Sequence, residues 1–154
     1  MSVMESTDQH ILALLARDGR ISYTDIGRIT GLSTSAAQQR VRRLEQRGVI
    51  AGYHADINPE ALGRPLTAFI SIRSLHPSAE ESVPHLLESI PEIVSCFSVA
   101  GDASYLCMAR VGSTADLDAL LNQLRQTTNL ITVTTVVLTT YFENRPPVAP
   151  PGQD

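Results

Sequence analysis

Four arginines crowd one short stretch of this chain, Arg40, Arg42, Arg43 and Arg47, and Ser35, Gln38, Gln39 and Gln46 are interleaved with them. Glu45 is the sole carboxylate between Ser35 and Arg47. Guanidinium and carboxamide groups present donors and acceptors in flat, paired arrays. Arginine matches guanine O6 and N7, and glutamine matches adenine N6 and N7, in the major groove of a duplex.

The chemistry of the stretch depends on which side chains share a face. At about 100° per residue, taking Val41 as the centre of a buried helix side places Ala37 and Leu44 with it. Ser35, Gln39, Arg42 and Gln46 then point the opposite way. Gln38 and Arg43 flank that exposed side, and Arg40 and Arg47 lie nearer the edge of the core. The N-terminal part of such a helix is the part that meets base edges. Ser35, Gln38, Gln39 and Arg42 are therefore expected to read bases, and Arg40, Arg43 and Arg47 to contact phosphates. The competing reading is an ordinary solvated arginine-rich face.

The elements that would carry this face decide between the two. Asp8 to Arg17 sets Ile11, Leu14 and Leu15 on one stripe and stops at Asp18-Gly19. Ser22 with Asp25 three residues on predicts a capping box, followed by Ile26 and Ile29 and closed by Gly31. Ser33 is a good N-cap for a third helix running to about Arg47, with Gly48 at its C′ position. A glycine-containing turn, Gly31-Leu32-Ser33, joins two short helices, which is the layout of a helix-turn-helix. That context favours double-stranded DNA as the partner of the face.

The formal net charge of −4 hides an uneven distribution, and all twelve basic residues are arginine. Met1 to Asn58 holds seven arginines and six acids, a balance of +1, whereas Pro59 to Asp154 holds five against ten, a balance of −5. A clustered basic segment inside an acidic protein is still an electrostatic footprint for nucleic acid. No run approaches the length of apolar sequence that spans a bilayer, so no membrane role is expected. Two cysteines are too few for a disulfide-stapled secreted scaffold, which points to the cytoplasm.

Beyond Gly48 the pattern changes. Val49 to Ile57 reads as a strand, and Asn58-Pro59 and Gly63 to Pro65 punctuate a linker. Leu66 to Leu75 alternates as a strand, Ser82 to Ile90 as a helix with Pro84 in its first turn, and Ile93 to Val99 with Tyr105 to Val111 as a hairpin around Gly101-Asp102. Ser113 and Asp116 cap a helix bearing Leu117, Leu120, Leu121 and Leu124, and Ile131 to Tyr141 is the last strand. The order βαββαβ is the ferredoxin-like unit. The fold class expected is α+β, a winged helix-turn-helix followed by that unit. The domains expected are a DNA-binding domain over 1–52, a strand and linker over 53–65, an effector-binding and oligomerisation domain over 66–143, and a proline-rich disordered tail over 144–154.

Other candidate chemistry is thin. Centring the hairpin on Gly101-Asp102 sets Cys96 opposite Cys107, and two buried reduced thiols are expected there in preference to a disulfide. His10, His54, His76 and His85 lack the spacing of a metal site, so no metal is expected. No nucleophile–base–orienter set and no phosphate-cradling glycine loop occurs, so neither an enzymatic activity nor a cofactor is expected. A metabolite sensor acting only through protein contacts is the rival function; the acidic second half fits it and the arginine-bearing helix does not.

The landmarks Asp18-Gly19-Arg20, Gly31-Leu32-Ser33, Arg40-Val41-Arg42-Arg43-Leu44-Glu45, Gly48-Val49-Ile50 and Ile57-Asn58-Pro59 resemble the leucine-responsive regulator/AsnC, or feast-famine, family of transcription factors. The resemblance covers nearly the whole chain apart from the tail. It implies dimers that assemble into octamers or related closed discs, with amino acids or similar metabolites bound between protomers. The family's hairpin often reads Gly-x-x-Asp-Tyr; here it is Gly101-Asp102-Ala103-Ser104-Tyr105, with serine where aspartate is expected. An effector site is therefore expected at Gly101, Asp102, Ser104 and Tyr105. The glycine would leave backbone N–H groups open to a carboxylate, and Asp102 would stand in for the missing acid.

Overall fold

The computed structural model describes residues 4–74, 82–128 and 130–148. Contacts divide them into two units. One runs to Asp56 and includes the described residues from Phe142 onward; the other is Ile57–Tyr141.

The first unit holds three helices, α1 (Ser6–Arg17), α2 (Tyr23–Thr30) and α3 (Thr34–Gln46). Ile11, Ile26, Ala37, Val41 and Leu44 form its core, with Leu15, Leu32 and Ile50 packed against it. The expected caps are in place. Ser22 Oγ accepts from the Asp25 N–H at 3.0 Å and donates to its carboxylate at 2.6 Å. Ser33 Oγ accepts from the Ala36 N–H at 3.2 Å. Gly31 ends α2 in the left-handed region at φ 73°, a conformation that glycine adopts without steric cost.

One expectation fails after α3. No strand forms over Val49 to Ile57, and none lies between α3 and Leu66, so the described residues carry no wing. The N–H groups of Val49 and Ile50 instead donate to the Leu44 carbonyl at 2.9 and 3.2 Å and finish the end of α3. Donors used that way are lost to a ladder, and an extended segment with no neighbouring strand makes no sheet. The segment expected as strand and linker, 53–65, contains the division between the units: 53–56 belongs to the first and residues from Ile57 to the second. Arg64 Nη1 there donates to the Pro91 carbonyl at 2.7 Å.

The second unit contains β1 (Leu66–Ser74), α4 (Val83–Glu88), β2 (Ile93–Ser98), β3 (Tyr105–Val111), α5 (Thr114–Thr128) and β4 (Leu130–Val136). All strand pairs are antiparallel and the sheet order is β2-β3-β1-β4, the ferredoxin-like arrangement. The last position expected in β1, Leu75, lies outside the described residues. Alternation sends Ala68, Ile70, Ile72, Cys107, Ala109 and Val111 to one face, where they form a core with Val83, Leu87, Leu117, Leu120 and Leu124 of the helices. Strand β4 ends at Val136 rather than at Tyr141, and β1, which begins at Leu66, offers no partner beyond the position of Leu138. Val136 pairs with Ala68, and the Val137 N–H makes one further bond to Thr67.

Among the described residues nothing covers the opposite sheet face. Phe69, Phe97, Ile131 and Val133 are exposed there, and Leu106 and Met108 are half-buried. The last described residues, 137–148, form no helix or strand; the rest of the expected tail lies outside the described residues.

Candidate nucleic-acid interface

Helix α3 buries Ala37, Val41 and Leu44, as its periodicity requires. Ser35, Gln39, Arg42, Arg43, Gln46 and Arg47 are exposed, and Gln38 is half-buried. One face of a capped helix thus gathers Ser35, Gln38, Gln39 and Arg42, with Arg43 and Arg47 beside it. Ser35 Oγ lies 3.1 Å from Ser33 Oγ, so the N-cap also orients this hydroxyl.

Arg40 departs from its expected role. Its Nη1 donates to Glu5 Oε2 and to Asp8 Oδ1, both at 2.8 Å, and the hydrogen bonds to Asp8 and then Glu5 hold its pKa above the usual arginine value. A guanidinium already neutralised by two carboxylates has little charge left for a phosphate. Arg40 therefore fastens α3 to the start of α1 instead of reaching outward. The cause is rotational: Arg40 sits at the core edge of α3, facing the neighbouring helix.

Two further residues shape the unit. Glu45, the acid on α3, accepts from the Tyr53 hydroxyl at 2.9 Å. Burial, with a further contribution from Glu45, pushes the Tyr53 phenol up to about 12. A Cβ placed on Gly27 would stand 2.6 Å from the Leu32 carbonyl oxygen and 3.3 Å from the Ser33 carbonyl. The turn between α2 and α3 therefore passes directly over Gly27. Sequence reasoning missed this glycine; an isolated glycine inside a helical pattern was its only signal.

A separate cleft of about 690 Å³ opens beside the hairpin, lined in part by Arg73, Gly101, Asp102, Leu106, Ile131 and Val133. Two of the four residues expected at an effector site, Gly101 and Asp102, line it. The other two do not. The Ser104 N–H donates to the Ile72 carbonyl at 3.0 Å, and Tyr105 packs against the helix-side core. Strand alternation accounts for Tyr105, since Leu106 faces the open side and its neighbour Tyr105 the other, whereas Ser104 precedes the strand and its backbone is tied to Ile72. Arg73 and Ser71 were missed because they sit on the odd-numbered side of β1, which sequence reading left unassigned. The cleft combines a cation, a carboxylate, a turn backbone and an apolar wall.

Cys107 is buried and Cys96 exposed, so the expectation of two buried thiols holds for one of them. Among the described residues no group of histidine, cysteine and carboxylate side chains is placed to hold a metal. No helix among them is long and apolar enough to cross a membrane.

Comparison with known proteins bears on both units. Residues 4–45 match the model of the AsnC-type helix-turn-helix domain, and residues 67–147 that of the Lrp/AsnC ligand binding domain. The chain is 45% identical over 142 residues to the HTH-type transcriptional regulator LrpA of Mycobacterium tuberculosis, covering 92% of this chain and 95% of the relative. It is 38% identical to the leucine-responsive regulatory protein of Haemophilus influenzae, over 77% of this chain and 72% of the relative. A solved feast or famine regulatory protein from M. tuberculosis, complexed with L-methionine, superposes with a TM-score of 0.89 at 44% identity, covering 96% of this chain and all of the other.

Proposed function

This chain belongs to the Lrp/AsnC family of transcriptional regulators, and we propose that it reads operator DNA with the exposed face of α3 under the control of an amino acid held beside its hairpin. The family is one of DNA-binding regulators and not of enzymes. The observation that carries the reading is the contrast within α3. Arg40 is bound to two carboxylates, whereas Arg42, Arg43 and Arg47 are exposed and make no ion pair among the described residues. Free guanidinium groups on one helix face are the groups that contact bases and phosphates. A regulator of this kind works where the DNA is, which supports the cytoplasm as its compartment.

The effector is an α-amino acid with an apolar side chain. In the cleft, Arg73 answers a carboxylate, Asp102 an ammonium group, and Leu106, Ile131 and Val133 an aliphatic or thioether chain. The methionine complex of the M. tuberculosis relative supports this ligand class.

The chain acts as a dimer or a larger closed assembly, up to the octamer that the family resemblance implies. A second copy would cover the open sheet face, and a single recognition helix reads too few base pairs to be selective without a second half-site. A gel-shift titration on the chain's own upstream DNA, with and without each of the amino acids, tests the whole reading. A shift equally strong on unrelated DNA overturns it.

A further inference from the structure

The hairpin that carries the cleft also carries the chain's two cysteines, and their geometry assigns them a chemistry of their own. Cys96 in β2 and Cys107 in β3 are direct cross-strand partners. The Val99 N–H donates to the Ser104 carbonyl at 3.0 Å, the bond that flanks a non-hydrogen-bonded Ser98–Tyr105 pair and so fixes the phase of the ladder. Antiparallel pairs alternate between two kinds. Phe97–Leu106 is then a hydrogen-bonded pair and Cys96–Cys107 a non-hydrogen-bonded one. Cα atoms of such a pair stand about 4.5 Å apart with their side chains close, within the span of about 4.4–6.8 Å that a disulfide bridges. Both side chains point to the same side of the sheet, and both are free thiols.

The two differ in exposure. Cys107 is wholly buried and Cys96 is open to solvent on the edge strand. Burial first, and the hydrogen bond with Cys96 second, push the Cys107 thiol up to about 12, so Cys107 offers almost no thiolate at neutral pH. Cys96 is therefore the sulfur that a small oxidant meets, with a second sulfur waiting beside it.

We infer that Cys96 and Cys107 form a two-thiol oxidation site, in which Cys96 is the peroxide-reactive sulfur and Cys107 resolves it to an intrachain disulfide. In the first step the Cys96 thiolate attacks one oxygen of hydrogen peroxide. The S–O bond forms, the O–O bond breaks, and the hydroxide released takes up a proton to leave as water. In the second step the Cys107 sulfur attacks the sulfenic sulfur of Cys96. The S–S bond forms, the S–O bond breaks, and the Cys107 proton departs with the hydroxyl as a second water. The dithiol loses two electrons and the peroxide gains them. The product ties β2 to β3 three residues from Val99, where the turn begins, and a thiol reductant reverses it.

The full-length protein, reduced and then titrated with hydrogen peroxide in its native state, tests this by thiol counting, intact mass and peptide mapping. The expected result is loss of both thiols together, a mass lower by two hydrogens, one cross-linked peptide pair containing Cys96 and Cys107, and full recovery with dithiothreitol. In Cys107→Ser, and in Cys107→Ala should the serine variant fold poorly, Cys96 is expected to stop at a sulfenic acid trapped by dimedone. Accumulation of Cys96 sulfinic acid in the wild-type chain, or a disulfide joining two chains through Cys96, overturns the assignment.

Discussion

Arg40 reaches Asp8 at 2.8 Å across thirty-two residues of sequence, and the same nitrogen holds Glu5 at the same distance. The Asp8 side chain is 13% exposed and that of Arg40 28%, so the pair is partly shielded from solvent. The tie runs from the helix that presents the recognition face to the helix that supports it. It separates Arg40, which holds the fold, from Arg42, Arg43 and Arg47, which are exposed and make no ion pair among the described residues.

Substitutions along α3 are expected to fall into three kinds. Arg42→Ala costs about 1–3 kcal/mol of specific binding and relaxes preference at one base position. Arg43→Ala and Arg47→Ala weaken binding to all sequences alike and reduce the salt slope by about one each. Arg40→Ala keeps base preference and salt slope but lowers the stability of the helical unit by roughly 1 kcal/mol. Fluorescence anisotropy over a salt series, with thermal melts alongside, separates the three. An Arg42→Ala protein that retains its operator preference shows the reading face to be elsewhere.

Gly27→Ala is expected to damage the helix-turn-helix more than Gly31→Ala. The first change drives a methyl group into the Leu32 carbonyl, which is rigid backbone and not a flexible side chain, at roughly 1–3 kcal/mol. The second meets open space and carries only the left-handed backbone cost of about 1–2 kcal/mol. Denaturant titration of both variants decides the order, and equal stability of Gly27→Ala and wild type would remove the close approach from the account.

Acid should weaken the α2 cap. The hydrogen bond from Ser22, then that from Arg28, holds the Asp25 carboxyl below its usual 3.8. A depressed carboxyl pKa means that the folded state binds fewer protons than the unfolded chain. The stabilisation is therefore complete above the ordinary aspartate pKa and is lost as the pH falls through the lower folded-state value. The stability difference between wild type and Asp25→Asn should be constant near neutrality and shrink in that acid range. A difference that persists unchanged to the lowest pH at which the chain folds contradicts this role.

Calorimetry with the twenty amino acids should find binding confined to apolar side chains. Arg73→Met should remove a charge-assisted contact of about 1.5–3 kcal/mol, a loss of at least tenfold in affinity. Gly101→Thr should also weaken binding, because Gly101 has φ 152°, where L side chains are strained. Undiminished binding in both variants places the ligand elsewhere.

Val133→Glu is expected to break self-association, since Val133 is 64% exposed on the open sheet face and a carboxylate buried against a second apolar face is strongly disfavoured. Light scattering at micromolar concentration should show an assembly for the wild type and a smaller species for the variant. A monomeric wild type rules out the dimer.

Features that depend on near neighbours were legible in the residues alone. The three N-terminal helices, the serine caps at Ser22, Ser33 and Ser113, the buried stripe of Ala37, Val41 and Leu44, and the hairpin centre that pairs Cys96 with Cys107 all follow from local rules: helix periodicity, capping within three residues, and turn composition. The βαββαβ order was legible for the same reason. Tertiary structure decided what depends on distant partners. It turned Arg40 inward to Asp8, used the Val49 and Ile50 amides to end α3 instead of starting a strand, and ended β4 at Val136, since β1 is too short to pair as far as Tyr141. It brought Arg73, Asp102 and Val133 from three separate stretches into one cleft and left Ser104 and Tyr105 out of it. Periodicity tells which residues share a face, but the partner of that face is set by how the elements assemble, and that information is spread over the whole chain.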